Sequence, residues 1–445
     1  MTPATIEEFG RGVRRREIAA THVLGGCLRR IEEGNPQLNA FIRVMADEAH
    51  QQACEADREL SAGRDRGSLH GVPISIKDLL DLRGTPTTAA SRVRDGHVAT
   101  RDALAIERLR EAGAVFIGKT NLHEFAFGTT NEDSAFGPAR NPRDPSRSPG
   151  GSSGGSAASV AAGMALASIG TDTGGSIRIP AAACGIVGLK PTHGEVPTDG
   201  VVPLSRTLDH IGPLASNVRD AYVVYRALLG DSTPAALAAA PVQGLRLGIP
   251  RAYFCDVLDD DVRRRFDEAL DRLRTSGARV QDTEIRHANE IAPIYLHIVL
   301  TEAAAFHAKT LEAMPDRYTP PVRVRLELGR HVMGEDYVRA LKGREILRQE
   351  VDAALAEHDA LVLPTLPIPA PLLGASSVRV GRVKEPVRNL MLRLTQLFNI
   401  TGHPAISLPC GTTSDGLPCG LQLVGARMRT VALAEIALAC ESLLR

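Results

Sequence analysis

The 445-residue sequence contains no tryptophan, and six tyrosines and ten phenylalanines supply its whole aromatic surface. A pocket in such a chain has to be shaped mainly by aliphatic, methionine and a few phenylalanine side chains, which accept bulky apolar or aryl groups without selecting one. Net charge is lacking too, because 52 Lys plus Arg balance 52 Asp plus Glu. No overall field draws nucleic acid or an anionic membrane to the surface, so neutral small molecules are the expected partners. The longest weakly polar run, residues 157–169, is serine-punctuated and short of the ~20 residues a spanning helix needs. The opening MTPATIEEFGRGVRRR lacks the apolar core of a secretion signal, which makes the cytoplasm the expected location. Seven cysteines, at positions 27, 54, 184, 255, 410, 419 and 440, form no C-x-x-C pair. Buried thiols are expected, ahead of disulfides or a zinc site.

Glycine and proline are dispersed rather than gathered into a linker, and no solenoid period recurs. One large α/β domain over residues 1–445 is the simplest organisation. Residues 1–65 carry helical periodicity with a polar face, as in HVLGGCLRRIEEGN, and form a helical layer. From residue 66 to about 230, strands and helices alternate: VPISIKD, the helix DALAIERLREAG, AVFIGKT, the helix SAASVAAGMALA, then SIGTD. The pattern returns in LRLGIP, the helix DDDVRRRFDEALDRLRTSG, ARVQDTEI, ALVLPTLP, AISLPCG and GLQLVG. The fold class is α/β, a single large mixed β-sheet covered by α-helices on both faces. Residues 289–358 are mostly helical around Pro320-Pro321, an insertion of the kind that builds a pocket wall or plain scaffold.

Residues 113–120, GAVFIGKT, satisfy the phosphate-loop pattern G-x-x-x-x-G-K-[ST] letter for letter. The context argues against it. A helix ending at a glycine precedes the string, and its variable positions 114–117 are apolar and β-prone, so a buried strand stands where the loop should be. His123-Glu124 makes no zinc motif either, because Phe127 occupies the place of the second histidine in H-E-x-x-H.

The stretch SPGGSSGGSAAS, residues 148–159, runs straight into an alanine-rich helix and so is no linker between domains. It fits the nucleophile-elbow pattern G-x-S-x-G in two registers, with Ser152 or Ser153 central, but glycine-serine composition alone generates that match and no strand precedes it. A third reading joins it to GTDTGGSIRIP (170–180) and SIKD (75–78). Thr173, Gly174 and Gly175 let consecutive backbone N–H groups converge beside the Ser176 hydroxyl, at the start of a short helix, as acyl transfer requires. Ser176 needs a base, and none of the 13 histidines stands in a partnering pattern. Lys77 ends an apolar strand, where burial disfavours its ammonium form and lowers its pKa from about 10.4. Taken alone, a strand-end lysine is more often a solvated or ion-paired surface charge. Asp172 and Arg178 flank the nucleophile loop and are expected to hold it by an ion pair.

With these segments in hand, the chain is identified as resembling the amidase signature family. GGSSGGSAASVAAGMALASIGTDTGGSIRIPAAACGIVGLKPT, residues 150–192, resembles the signature nearly throughout, supported by GVPISIKD, GKTNLHEFAFG, LDHIGPLA, PAISLPCG and GLQLVG. The separations of 75 residues from Lys77 to Ser152 and 24 from Ser152 to Ser176 agree with family members. The resemblance implies Ser176 as nucleophile, Ser152 as bridging serine reached through a cis peptide bond, and Lys77 as base, displacing the surface-charge reading. It implies an oxyanion hole from Thr173, Gly174, Gly175 and Ser176, and substrate contacts from Phe125, Ala126, Phe127, Gly128 and Ser153. No metal or cofactor is implied. The expected partner is a small amide, ester or carbamate, and a homodimer is allowed.

The family divides into stand-alone hydrolases and the amidotransferase subunit that frees ammonia from glutamine for a tRNA-bound partner. That subunit typically carries an acidic residue just after the GLQLVG-like strand. Arg429 aligns there, where a cation repels the ammonium of glutamine. The helical insertion also resembles the free-standing enzymes. The stand-alone role is therefore the expectation, the glutamine-hydrolysing subunit being the alternative. A binding module that merely retained the fold would have lost the catalytic residue types, and all three are present.

Overall fold

A computed structural model describes residues 4–234 and 236–444. Its strands, in chain order, are β1 (Phe41–Val44), β2 (Pro73–Lys77), β3 (Val115–Thr120), β4 (Ala167–Asp172), β5 (Val187–Lys190), β6 (His210–Ala215) and β7 (Arg246–Pro250). They continue with β8 (Arg279–Thr283), β9 (Ala360–Pro364), β10 (Ser377–Val380), β11 (Val383–Pro386), β12 (Ala405–Thr412) and β13 (Pro418–Val424). All but the hairpin β10–β11 join one 11-stranded sheet in the order β1-β3-β2-β4-β6-β5-β12-β13-β9-β7-β8. The trios β3-β2-β4 and β9-β7-β8 are parallel, and the remaining ladders are antiparallel. The mixed sheet is as the alternation predicted. Strands β2, β3, β4, β5 and β6 are buried along their full length, and β2 and β3 accordingly read as largely apolar runs rather than alternating ones.

GAVFIGKT holds the strand β3, Val115–Thr120, which is buried throughout. Lys119 reaches no nucleotide: its ammonium pairs with Asp78 at 2.9 Å and donates to the Leu80 carbonyl at 2.8 Å. Six of the seven cysteines are buried thiols; Cys54 is half-exposed instead, and none is bonded to another.

The insertion consists of helices Ile291–Ala313, Pro320–Gly329 and Gly334–Glu357. Residues 288–313 are long and apolar enough to cross a bilayer by length and composition, unlike the serine-punctuated run at 157–169. In the fold this helix packs against the other two helices of the insertion and contributes Ile291, Tyr295, Ile298 and Val299 to the core.

Candidate active site

Lys77 ends β2 between the parallel neighbours β3 and β4, with no exposed surface. Its Nζ lies 2.8 Å from Ser152 Oγ, 2.9 Å from Ser153 Oγ and 2.7 Å from Thr171 Oγ1. Ser153 Oγ donates onward to the Thr171 carbonyl at 3.1 Å, so toward the lysine it acts as acceptor. An ammonium would donate to all three hydroxyls; a neutral amine donates to two and accepts from the third. Burial pushes the Lys77 pKa down to about 7, against the opposing charges of Asp172 and Asp209. The apolar strand and its ring of neutral hydroxyls thus give an amine that changes protonation near neutrality.

Ser152 follows a cis peptide bond from Gly151, and the helix Gly154–Ala161 starts two residues later. Glycine is required here by close approach: a Cβ on Gly151 would lie 2.8 Å from the Asn131 amide nitrogen, and one on Gly155 would collide with the Ala40 carbonyl. The Ser152 carbonyl accepts from His123 N–H at 3.1 Å, and Ser153 N–H donates to the Ser176 carbonyl at 3.3 Å. That last bond joins the two serine loops. Ser153, expected to contact substrate, is fully buried with its hydroxyl committed to Lys77 and Thr171, which places it on the lysine side instead.

The loop from the end of β4 to the helix Arg178–Cys184 carries Thr173 to Ser176. Among the described residues the N–H groups of Gly174, Gly175 and Ser176 donate to no protein acceptor, and Ser176 Oγ has no hydrogen-bond partner. Ser176 is 5% exposed. Free amides beside a free hydroxyl are the arrangement a tetrahedral oxyanion needs. Gly175 has φ +136°, and a Cβ there would meet the Thr395 hydroxyl, which itself donates to the Gly174 carbonyl at 2.6 Å. Thr173 Oγ1 donates to Asp209 at 2.6 Å; burial pushes that carboxyl up to about 6, while the Thr173, Ser205 and Leu204 hydrogen bonds oppose the rise.

The expected ion pair is present. Arg178 and Asp172, both fully buried, meet at 2.9 Å, and Asp172 also accepts from the Ile177 amide at 3.1 Å and Asn399 Nδ2 at 2.8 Å. Arg178 further donates to the Thr395 carbonyl, Gln422 and Asn399 at 3.0, 2.7 and 2.6 Å. Burial alone would raise the Asp172 pKa, but the Arg178 charge and hydrogen bond, then Lys190 and Asn399, hold it far below the usual carboxylate range. Arg178→Met therefore strands a buried carboxylate, and denaturant unfolding is expected to show a loss of about 3–5 kcal/mol. Arg178→Lys recovers little of it, because a point charge cannot reach four acceptors at once.

The segment 125–128 lies under the insertion. Phe125 and Ala126 have φ 51° and 59°, left-handed values that cost of order 1–3 kcal/mol each unless the surroundings impose them. The surroundings do so. The Phe125 ring sits 4.3 Å from His307 and 5.5 Å from Tyr318, Glu124 accepts from Thr319 N–H at 2.8 Å, and Arg325 donates to the Phe127 carbonyl at 2.7 Å. A Cβ on Gly128 would collide with the His123 ring. Tyr295 and Leu392 close the other side, against Gly174. Thr171, Asp209, Tyr295, Arg325 and Arg388 at this site carried no signal in the sequence, because lone residues on ordinary strands and helices match no motif. Arg429 is exposed, between β13 and the helix Thr430–Leu444.

The sequence matches the family model described as Amidase over residues 22–433. An amidase of Pseudomonas putida is 40% identical over 432 residues, 94% of this chain and 91% of the relative. The A subunit of the glutamyl-tRNA(Gln) amidotransferase of Koribacter versatilis is 36% identical over 477 residues, 98% of each. Among solved structures, an amidase superposes with TM-score 0.94 at 38% identity, covering 99% of this chain and 100% of the other. The corresponding amidotransferase chain of Thermotoga maritima superposes with TM-score 0.79 at 33% identity, covering 98% and 94%. Sequence, sheet and site agree, and the chain belongs to the amidase signature family, as a hydrolase acting on carbon–nitrogen bonds.

Proposed function

We propose that the chain is a free-standing serine amidohydrolase working through Lys77, Ser152 and Ser176. The observation that carries this reading is the fully buried Lys77 amine, hydrogen-bonded to Ser152 at 2.8 Å and lowered to a pKa near neutrality, next to a loop of unused amides. Neutral Lys77 takes a proton from Ser152, and Ser152 takes one from Ser176 as Ser176 Oγ attacks the substrate carbonyl carbon. The oxyanion is held by amides of the Thr173–Ser176 loop, each such donor contributing on the order of 10²–10³ in rate. The relay then protonates the departing amine, the C–N bond breaks, and water cleaves the acyl ester by the same path in reverse. Esters and carbamates, with the same electrophilic carbon and a comparable leaving group, fall within this chemistry. Residues 125–128 border the substrate. The lysine is the only proton store the relay requires.

The higher structural similarity to a solved amidase than to a solved amidotransferase chain favours the stand-alone role. The long match to the amidotransferase relatives keeps glutamine hydrolysis for a partner as the second reading. Arg429, being exposed, carries little of the distinction. Matched aryl substrates, one amide, one ester and one carbamate, are tested beside glutamine, and a sulfonyl fluoride is used to label the nucleophile. Turnover of the aryl set with the label mapped to Ser176 supports the proposal. Glutaminase activity alone, or none without a partner, points to the amidotransferase role, and a label elsewhere removes the Ser176 assignment.

A further inference from the structure

Glu302, on the helix Ile291–Ala313 of the insertion, is a part-buried carboxylate that the chemistry above does not use. Among the described residues it makes no ion pair, and all its hydrogen-bond donors are neutral. Its Oε2 accepts from Ser205 Oγ at 2.8 Å and from the Thr207 N–H at 3.1 Å. Its Oε1 accepts from Thr207 Oγ1 at 2.6 Å and from the Tyr337 hydroxyl at 3.0 Å. Tyr337 stands on the helix Gly334–Glu357, so this one side chain ties two helices of the insertion to the turn 205–207. Hydrogen bonds to an ionised acceptor are the stronger kind, and they fix the direction of each donor.

The turn passes this restraint to the nucleophile loop. Its Leu204 and Ser205 amides donate to Asp209 Oδ2 at 3.0 and 3.1 Å, and Asp209 Oδ1 accepts from Thr173 Oγ1 at 2.6 Å. Ser205, Asp209 and Thr173 are all buried, so every link between Glu302 and the first residue of the amide loop lies inside the protein. The same helix meets the site at two more points. Tyr295, about two turns before Glu302, puts its hydroxyl 2.4 Å from where a Cβ on Gly174 would sit, and His307 packs on Phe125 at 4.3 Å. We propose that Glu302 is a positioning residue for the oxyanion hole: by fixing the 205–207 turn it sets, through Asp209 and Thr173, where the amides of Gly174 to Ser176 point. This rests on the hydrolase reading above and extends it to the insertion. Glu302 touches no reacting atom, and its effect falls on the transition state, where the oxyanion is developed, rather than on substrate binding.

For an anilide whose acylation limits turnover, Glu302→Ala is expected to lower kcat by about tenfold or more and to leave KM within about twofold of wild type. Glu302→Gln keeps an oxygen for Ser205 and the Thr207 amide, while its NH2 donates to the two hydroxyls that faced Oε1, so it should recover most of the loss. An unchanged kcat in Glu302→Ala, or a rise in KM alone, overturns the proposal. An aryl trifluoromethyl ketone separates positioning from general loosening. Ser176 Oγ bonds to its carbonyl carbon, the C=O electron pair moves onto oxygen as the oxyanion, and the serine proton passes to Ser152 as Lys77 takes that of Ser152. Affinity for the ketone should fall by about tenfold in Glu302→Ala, while the matching alcohol, which forms no oxyanion, binds as it does to wild type. Equal losses for ketone and alcohol overturn the proposal. Hydrogen exchange gives a readout free of turnover: the Leu204, Ser205 and Ser153 amides should all exchange faster in Glu302→Ala, the last because it donates to the Ser176 carbonyl. Faster exchange confined to Leu204 and Ser205 identifies a local structural role and counts against the proposal. Should Ser176→Ala still hydrolyse anilides while Ser153 exchange depends on Glu302, the nucleophile assignment fails and the hold on the loop stands. Should Glu302→Ala not fold, Ser205→Ala removes one of the four bonds and carries the same test, with an expected fall in kcat of about threefold at constant KM. An unchanged kcat there overturns the proposal.

Discussion

Ser176→Ala is expected to lower amide turnover by about 10⁴ to 10⁶, leaving only what binding and the amide nest provide. Its melting temperature should stay within a few degrees of wild type, because Ser176 Oγ has no protein hydrogen-bond partner to lose. Activity and stability are thereby separated at one atom. A nucleophile-deficient chain that still folds and still binds substrate would place the loss in the chemical step. Retained turnover would remove the mechanism altogether, since the loop's other hydroxyl, Thr173 Oγ1, is committed to Asp209. The sulfonyl fluoride adduct should vanish with the same substitution.

Lys77→Met is expected to cost about 10²–10⁴ in turnover and to remove the acid limb of the pH profile. In the wild-type chain kcat/KM should rise with pH through a midpoint at about 7, where the buried amine becomes half neutral, and level off above it. Asp172 and Asp209 are the charges acting on this lysine, and both push its pKa upward. Asp209→Asn should therefore move the acid limb to lower pH. Stability carries the same signature with a defined sign. The folded-state pKa of about 7 lies below the unfolded value near 10.4, so between those limits the unfolded chain binds more protons. Wild-type stability then gains from this group as pH rises from 7 toward 10, and the gain should be missing from Lys77→Met. Denaturant unfolding of both proteins at pH 7 and pH 9 measures it, and parallel responses would mean that the lysine is charged in the folded state.

The strands that bound the site, VPISIKD, AVFIGKT and SIGTD, were legible because apolar, β-rich runs closed by turn residues leave few other structures. Five others were not, three of them in the large sheet and two in the hairpin β10–β11. FIRV is a four-residue edge strand with mostly part-exposed or exposed positions, VGLK hides a fully buried lysine, and HIGPLA contains the glycine and proline that ordinarily argue against a strand. The link of Lys77 with Ser152 was legible from the family resemblance and the Asp172–Arg178 pair from its flanking positions, and the structure brings each pair within hydrogen-bond distance. The inward turn of Ser153 was hidden, since adjacent serines look alike until the backbone decides which hydroxyl faces the lysine. Arg325 gave no signal in the sequence, and its hydrogen bond to the Phe127 carbonyl, not composition, sets it apart.

The hydrogen bonds that lock the nucleophile loop run from Arg178 to Thr395, Asn399 and Gln422, residues 217, 221 and 244 positions further along. A chain emerging from the ribosome has made both serines and the lysine long before it has made any of these partners. Until β13 is synthesised and paired, Arg178 lacks three of its four partners and Asp172 lacks Asn399, and the loop is without the distant bonds that fix its amides in register. The birth of the site is consequently tied to the completion of the polypeptide, so a nascent or truncated chain carries every reactive group and still stays chemically silent.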